Sequence, residues 1–290
     1  MLRRSGLARP VRVPGGSRTQ GHDPSGDARG DSFVHRLASG VRVGRASSTA
    51  FASLGTALTT LLGTALTTLL LIPLLDVLFD VLMGDDLSSP NLVRTGYAAA
   101  LVAVSVSGGV VSSVAADRNL GVFHEVHTRR RVDAAYWLSA GVMPLILAIP
   151  TGAAAIGSVF VLSSAHDIAM LGRVVALVPV VVVCGLLMGV GGAGVGVDLP
   201  DPYLGTTVIA SLLPLLAGVI VPLSDCPRWL RAAASLMPLS GLVGVIDTTG
   251  GIRPAIGHDL GATLAWALAG LLATRHAVVR VRAGLRHDVI

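Results

Sequence analysis

Long apolar stretches separated by short polar ones dominate the chain from about residue 50 onward, and they predict a bundle of membrane-spanning helices. Six stretches are long enough to span, at about 59–83, 95–116, 134–162, 173–197, 203–223 and 258–279. A helix needs roughly 20 apolar residues to cross a bilayer, and backbone groups in lipid must be paired within the helix. We therefore expect an all-α integral membrane protein with six transmembrane helices.

Two further segments predict helices at the membrane surface. Residues 46–58 are rich in Thr and Ser and precede the first span, so we expect an interfacial helix there. Residues 225–250 begin with a polar, arginine-bearing stretch and are interrupted by Pro238 and several glycines. Short interfacial or re-entrant helices between the fifth and sixth spans fit this mixture better than another span.

The predicted domain organisation is one transmembrane domain with a tail at each end. Residues 1–45 contain nine arginines, three aspartates and no apolar run, so they cannot bury enough surface to fold alone. We expect a disordered, Arg-rich cytoplasmic tail over 1–45, a transmembrane domain over 46–282 and a short cytoplasmic tail over 283–290. An organellar transit peptide is the alternative for the first segment, although aspartates are not typical of such peptides.

Composition narrows the possible chemistry. Hydrophobic residues make up 52% of the 290 residues and charged residues only 13%, against roughly 25% charged residues in soluble proteins. All 22 basic residues are arginine, and without lysine the chain can form neither a P-loop nor a Schiff base. We therefore expect a chain that has no catalytic residues, binds no cofactor or metal and hydrolyses no ATP itself. Two cysteines, Cys184 and Cys226, are too few for a disulfide framework or a metal cluster.

The distribution of arginine predicts which ends of the helices face the cytoplasm. With six spans, the tail before residue 46, the 117–133 loop, the 198–202 turn and the C-terminal tail share one side and hold seventeen arginines against five on the other. Cytoplasmic loops carry the excess of arginine, so we expect both termini in the cytoplasm and the chain in the cell membrane. Because the arginines lie at the ends of apolar stretches, we expect lipid and not nucleic acid as their partner.

Three motifs have ordinary structural explanations beside the catalytic ones. Residues 189–194 match the dinucleotide motif GxGxxG, but they lie in an apolar stretch with no preceding strand, which favours close helix packing. His124 and His127 are three residues apart and not four as in zinc proteases, which favours a solvated polar segment. Serines in the second span, such as Ser105, are more typical of hydrogen bonds between helices than of a hydrolase.

Asp76 and Asp80 are acids near the outer end of the first span. Their spacing of four places both carboxylates on one helical face. A buried acid in lipid costs about 2.5 to 3.5 kcal/mol on insertion scales, so the pair should face a cavity, a partner or the interface. Both a lining of an outer vestibule and a plain interfacial position are open.

Three segments occur in an order that characterises one transporter family. A proline, a Leu-Phe pair and a terminal glycine end the first span at 72–84, and Ala-Asp-Arg-Asn-Leu-Gly follows the second span at 116–121. The most specific segment contains Gly218, Pro222, Leu223, Pro227, Trp229, Leu230 and Pro238. With six spans, these segments resemble the membrane permease family of ABC-2 type exporters, including the daunorubicin-resistance permease group, over about 50–280.

The resemblance implies a dimeric exporter core, formed with a second permease copy, that works with a separate cytoplasmic ABC ATPase subunit. ATP and Mg²⁺ would bind to that subunit. A coupling helix would lie within 118–133, and its expected coupling residues are Asp117, Arg118, Gly121, Glu125, Arg129, Arg130 and Arg131. After Gly121 the chain departs from the family's usual Thr-x-Glu-x-Leu pattern, which leaves the individual contacts open. Few charges lie within the spans, so we expect a lipophilic or amphipathic substrate.

Two other classes of function stay open from the sequence. One is a membrane-embedded enzyme that uses serines or histidines of the spans, and the other is an assembly subunit of a membrane complex without transport activity. A neighbouring gene that encodes a Walker-motif ATPase would favour the exporter.

Overall fold

The computed structural model describes residues 33–47, 55–56, 58–63, 65–67, 70, 74, 90–129, 133–162, 168–218, 223, 227–245 and 251–283. These residues form α1 (Phe33–Ser47), α2 (Pro90–Asn119), α3 (Val122–Arg129), α4 (Ala134–Leu162), α5 (Ile168–Gly196), α6 (Leu204–Leu216), α7 (Arg228–Ala234), α8 (Ser240–Val245) and α9 (Ile252–Arg282). Within the described part of the chain there is no strand, and the predicted all-α class is confirmed there.

Four of these helices are long and apolar enough to cross a membrane. The apolar windows are Ala98–Asn119, Ala134–Ser158, Leu171–Gly196 and Ile252–Arg280. They correspond to the second, third, fourth and sixth predicted spans. Prolines inside α4 and α5 (Pro144, Pro150 and Pro179) do not interrupt these helices, because neighbouring helices can satisfy the freed backbone groups.

The fifth predicted span, 203–223, is shorter in the structure. Helix α6 has 13 residues, about 20 Å at 1.5 Å per residue, whereas the hydrocarbon core is about 30 Å thick. The helix ends because Gly218 adopts a left-handed conformation with φ +79°, which is a common helix terminator. For the first predicted span, short helical pieces are described at 58–63 and 65–67 and single residues at 70 and 74, and the other residues of this span lie outside the described part of the chain.

Helix α5 forms the centre of the bundle, with α2 on one side and α9 on the other. Its glycines make these contacts close. A Cβ added to Gly189 would lie 2.7 Å from Cβ of Val110 in α2, and one added to Gly191 would lie 2.8 Å from the carbonyl oxygen of Trp266 in α9. Gly194 faces Gly270 directly. The GxGxxG sequence is therefore a helix-packing motif, as the sequence analysis favours.

The predicted boundary between tail and membrane domain at residue 45 does not coincide with a boundary in the structure. Residues 33–45, which we expected to be disordered, form most of α1, and α1 packs against α4. Gly40 allows this approach, since a Cβ there would lie 2.8 Å from Cβ of Ser139. Arg36 also pairs with Asp133 at 3.1 Å. These long-range contacts stabilise a segment whose composition alone predicts no fold.

Candidate coupling site around α3

The link between α2 and α3 is a turn of only two residues. Leu120 N–H donates to the Ala116 carbonyl at 2.9 Å and Gly121 N–H to the Arg118 carbonyl at 3.0 Å. Gly121 has φ +76°, a conformation that glycine adopts at little cost. Its carbonyl then accepts the N–H groups of the first turn of α3, from His124 and Glu125. This tight turn fixes the direction of α3 relative to α2.

Helix α3 has one buried face and one exposed face. Phe123 and His127 are each 2% exposed, whereas Gly121 and Glu125 are exposed. Because these pairs are four residues apart, each pair lies on its own side of the helix. The expectation of a solvated segment at 124–127 is thus wrong for His127, whose face packs onto the bundle.

An aromatic cluster holds the buried face of α3 against α4. The rings of Phe123 and His127 stack with centroids 4.1 Å apart, and Tyr136 contacts both edge-on at 5.9 and 5.2 Å. Trp137 extends the cluster, 5.7 Å from Tyr136. Stacked and edge-to-face pairs at these distances are favourable beyond their area burial. The cluster therefore makes α3 and the start of α4 one rigid unit.

The buried His127 ring is held neutral. Burial lowers the pKa of His127, the Phe123 carbonyl and Asp133 oppose this shift, and the nearby His124 and Arg282 act in the same direction as burial. Its Nδ1 lies 2.9 Å from the Phe123 carbonyl oxygen, so Nδ1 carries the proton. The other ring nitrogen, Nε2, is buried and has no hydrogen-bond partner among the described residues. Protonation at Nε2 would bury an unpaired donor.

Arg118 connects the end of α2 to the end of α5. Its Nη1 donates to the carbonyl oxygens of Gly196 at 3.2 Å and Leu199 at 2.7 Å. The last carbonyls of a helix have no partner within the helix, and a cation there also interacts favourably with the negative end of the helix dipole. Arg118 therefore acts as a C-terminal cap of α5.

Two arginines of the last helical turn of α9 reach the same end of the bundle. Arg282 donates from Nη2 to the His127 carbonyl oxygen at 2.7 Å, and Arg280 pairs with Asp198 in the α5–α6 turn at 2.9 Å. On α4, Asp133 accepts the Ala135 N–H at 3.0 Å and thereby caps the helix N-terminus. The ends of α2, α4, α5, α9 and α1 thus meet around α3.

Of the expected coupling residues, this site brings together Asp117, Arg118, Gly121 and Glu125. The Asp117 carboxylate lies near the phenol of Tyr136, whose oxygen forms no hydrogen bond with the described residues, so the Asp117 side chain is on the side of the aromatic cluster. Arg118 and Gly121 are structural in the ways described above, and Glu125 is exposed. Arg129 ends α3, while Arg130 and Arg131 lie outside the described residues. Three other residues that the sequence analysis singled out also lie outside the described residues, namely the acid pair Asp76 and Asp80 and the family-motif residue Pro222.

The family-motif residues surround the opposite end of the bundle. Gly218 ends α6 and packs beneath Leu223, since a Cβ there would lie 2.8 Å from Leu223 Cγ. Pro227 precedes α7, which contains Trp229 and Leu230, and Trp229 is 72% exposed. Pro238 is buried just before α8. The segment in which we expected short interfacial or re-entrant helices contains the short helices α7 and α8.

Sequence reasoning did not single out Asp259, the most buried charged side chain described. It lies in α9, is 0% exposed, and accepts the N–H of Gly241 at 3.0 Å and of Leu242 at 2.8 Å. His258 Nδ1 lies 3.0 Å from the same carboxylate. Asp259 therefore caps α8 from another helix. An acid placed at the very start of a predicted span was the available signal.

The described residues contain no group of three or more His, Cys, Asp or Glu side chains that is arranged to hold a metal ion. Around α3, arginine side chains donate hydrogen bonds to backbone carbonyls, and stacked and edge-to-face aromatic rings join α3 to α4.

No protein-family model matches the chain, and no curated protein matches it either.

Proposed function

We propose that the chain is the membrane permease subunit of an ABC-2 type exporter. It moves a lipophilic or amphipathic substrate out of the cytoplasm with ATP that a separate nucleotide-binding subunit hydrolyses. The chain works as a homo- or heterodimer with a second permease copy, in the cell membrane. The resemblance of the segments at 72–84, 116–121 and 218–239 to this family supports the proposal.

The single observation that carries the mechanism is the rigid attachment of α3. A soluble ATPase can move membrane helices only through a stiff contact outside the membrane. Helix α3 provides such a contact, because the Gly121 turn fixes it to α2, the aromatic cluster fixes it to α4, and Arg282 fixes it to α9. Movement of α3 is therefore transmitted to three long helices at once, and Glu125 lies on the exposed face of α3.

The proposed topology has six spans with both termini in the cytoplasm. In support, the described contacts place α3, the α5–α6 turn and the end of α9 together through Arg118, Arg280 and Arg282. The arginine distribution assigns these same segments to one side. In this topology α6 is a short fifth span, the 59–83 stretch is the first, and α7 and α8 lie at or re-enter the outer surface.

Site-directed crosslinking tests the proposal. In a background with Cys184 and Cys226 replaced by Ala, Glu125→Cys should crosslink to the ABC ATPase subunit that is co-expressed with this chain. The matched control is Ala232→Cys, exposed on α7 at the other end of the bundle, which should give no crosslink. Equal capture from both positions, or capture only from Ala232→Cys, would refute the coupling role of α3.

Transport itself is tested in vesicles that contain the permease with and without the ATPase subunit. We expect ATP-dependent movement of a lipophilic dye only when both are present. ATP hydrolysis by the purified chain alone would contradict the proposal, because the chain has no lysine for a P-loop.

A further inference from the structure

One titratable ring, that of His127, lies at the centre of the contact between α3 and the bundle. The ring is 2% exposed. It stacks on Phe123 with centroids 4.1 Å apart, and Tyr136 of α4 contacts it edge-on at 5.2 Å. A neutral imidazole has one donor nitrogen and one acceptor nitrogen, and the donor, Nδ1, lies 2.9 Å from the Phe123 carbonyl oxygen. In this packed form His127 is therefore a neutral ring among aromatic rings.

A second proton on the ring would have no acceptor in the packed form. Nε2 is buried and forms no hydrogen bond with the described residues. Stacking on Phe123 holds the ring but supplies no lone pair to an Nε2–H group. A buried donor without a partner is unfavourable, and a buried charge without one is more so. The imidazolium form is therefore compatible with a ring in water but not with the packed ring.

The charged and titratable groups around the ring do not compensate for this. They belong to every element packed against His127, namely His124 of α3, Asp133 just before α4, Tyr136 of α4, Asp117 of α2 beyond Tyr136, and Arg282 of α9. Arg282 places a cation 2.7 Å from the His127 carbonyl oxygen. Asp133 would favour an imidazolium, but Arg36 of α1 already binds both of its oxygens, at 3.1 and 3.2 Å. Burial determines the balance, and it lowers the pKa of His127.

Helix α3 can leave the bundle without disturbing the main core. It has only eight residues, and a helix of that length is marginal in water without tertiary contacts. Its buried residue Phe123 packs in a cluster with Tyr136 and Trp137. A separate core joins α2, α4, α5, α6 and α8 through residues such as Cys184 and Leu213, and it contains no residue of α3. Loss of the His127 contacts should therefore act locally.

We infer that α3 is released from the bundle by acid: protonation of His127 expels its ring from the aromatic cluster and detaches α3 from α4 and α9, while the main core stays folded. The release needs only the chain itself. Its consequence, that acid on the side of α3 uncouples the ATPase from the membrane helices, rests on the proposed function. His127 is a positioning residue in this respect, because it acts through α3.

Acid favours the released form because only that form accommodates the proton. In the released form the ring is in water and has the ordinary histidine pKa of about 6.5, whereas the pKa of the packed ring is lower. The packed form is therefore most favoured above about pH 6.5, and this preference falls as pH decreases toward the lowered pKa. At pH 5.5, about one unit below 6.5, protonation raises the ratio of released to packed α3 by at most about tenfold.

Hydrogen exchange of the purified chain at pH 7.5 and 5.5 tests the inference without the ATPase. After correction for the intrinsic pH dependence of amide exchange, protection of residues 124–129 should fall about five- to tenfold at pH 5.5. The segment of α5 around Cys184 is the internal reference and should keep its protection. Equal protection of α3 at the two pH values would overturn the inference, and so would an equal loss in α5, which would indicate general unfolding.

Matched variants assign the response to one histidine. His127→Phe keeps an aromatic ring beside Phe123 and removes the titration, so α3 should stay protected at pH 5.5. His127→Leu is a second variant without a titrating group and should behave in the same way. His124→Gln removes the neighbouring histidine of the same helix and should keep most of the wild-type response. A wild-type response in both His127 variants would overturn the inference, as would its disappearance in His124→Gln alone.

ATP-dependent dye transport in inside-out vesicles that contain both subunits tests the consequence for coupling. Because the ATPase has a pH dependence of its own, the measured quantity is the ratio of wild-type to His127→Phe transport. This ratio should fall when the external pH is lowered from 7.5 to 5.5. A constant ratio would refute the uncoupling by acid. Absence of ATP-dependent transport at both pH values would instead refute the proposed function, and the exchange experiment would still decide the release of α3.

Discussion

Arg282, in the last turn of α9, donates a hydrogen bond from Nη2 to the carbonyl oxygen of His127 in α3 at 2.7 Å. The two residues are 155 positions apart, so the last long helix of the chain ends on the helix that we propose as the coupling element. The carbonyl of His127 belongs to the last turn of α3 and lacks a helical partner. Arg282 therefore satisfies this group and links α9 to any movement of α3.

Replacing Arg282 with alanine should loosen α3 from α9. A hydrogen bond from a charged group contributes about 1.5–3 kcal/mol, and the exposure of Arg282 places the expected loss in free energy of unfolding near the lower value. Arg280→Ala is the matched control, because it removes only an ion pair whose arginine side chain is 45% exposed, and such pairs contribute about 0–1 kcal/mol. Thermal unfolding in detergent measures both variants, and an equal loss in the two would contradict the link.

The pH dependence of stability should contain a contribution from His127. Because burial lowers its pKa in the folded state, the unfolded chain binds this proton more readily. Stability is then greatest above about pH 6.5 and falls as pH decreases from 6.5 toward the lowered pKa. His127→Phe keeps a ring against Phe123 and removes the titration. The difference in unfolding midpoint between pH 7.5 and 5.5 should be smaller in this variant than in the wild type, and an unchanged difference would exclude His127 as a cause.

Most of the helices could be predicted from the sequence, because apolar length alone determines them. Helix α4 coincides with the predicted 134–162 stretch, and its start is explained by the Asp133 cap. Features that depend on contacts far apart in the chain could not be predicted. Helix α1 depends on Asp133 and Ser139 of another helix, and the burial of His127 depends on Tyr136. The local pattern of polar residues along the sequence does not show these contacts.

The same limit applies to the candidate site. The sequence indicated Arg118, Gly121 and Glu125 through family resemblance, and the structure adds their separate physical roles. Arg282 was missed, because a backbone carbonyl as partner leaves no signature in the sequence. Asp259 was missed although its position at the start of a predicted span was a signal. Length alone also suggested a full fifth span, whereas the left-handed Gly218 ends α6 early.

The close contact of α5 with α9 predicts a large effect from a single methyl group. In Gly194→Ala the new Cβ would overlap the backbone of Gly270, and overpacking of this kind costs about 1–3 kcal/mol or more. Gly172→Ala in the same helix adds a methyl group where no atom lies within 4 Å, so stability should hold or rise by up to about 1 kcal/mol. Membrane level and unfolding temperature distinguish the two, and equal behaviour would show that the glycine contact is not tight.

Asp259 should determine whether α8 stays attached to α9. Its two carboxylate oxygens accept one N–H each, from Gly241 and Leu242. Asparagine offers only one oxygen and turns its NH₂ group toward the second N–H, which leaves a buried donor unpaired at a cost of about 1–3 kcal/mol. We therefore expect Asp259→Asn to increase hydrogen exchange at residues 241–242 and to lower the unfolding temperature. His258→Gln is the control, since the His258 side chain is 41% exposed and its loss leaves both backbone bonds intact. If exchange at these two amides stays as slow in Asp259→Asn as in the wild type, the carboxylate does not hold α8, and α8 must be fixed by the packing of Leu239 and Leu242 alone.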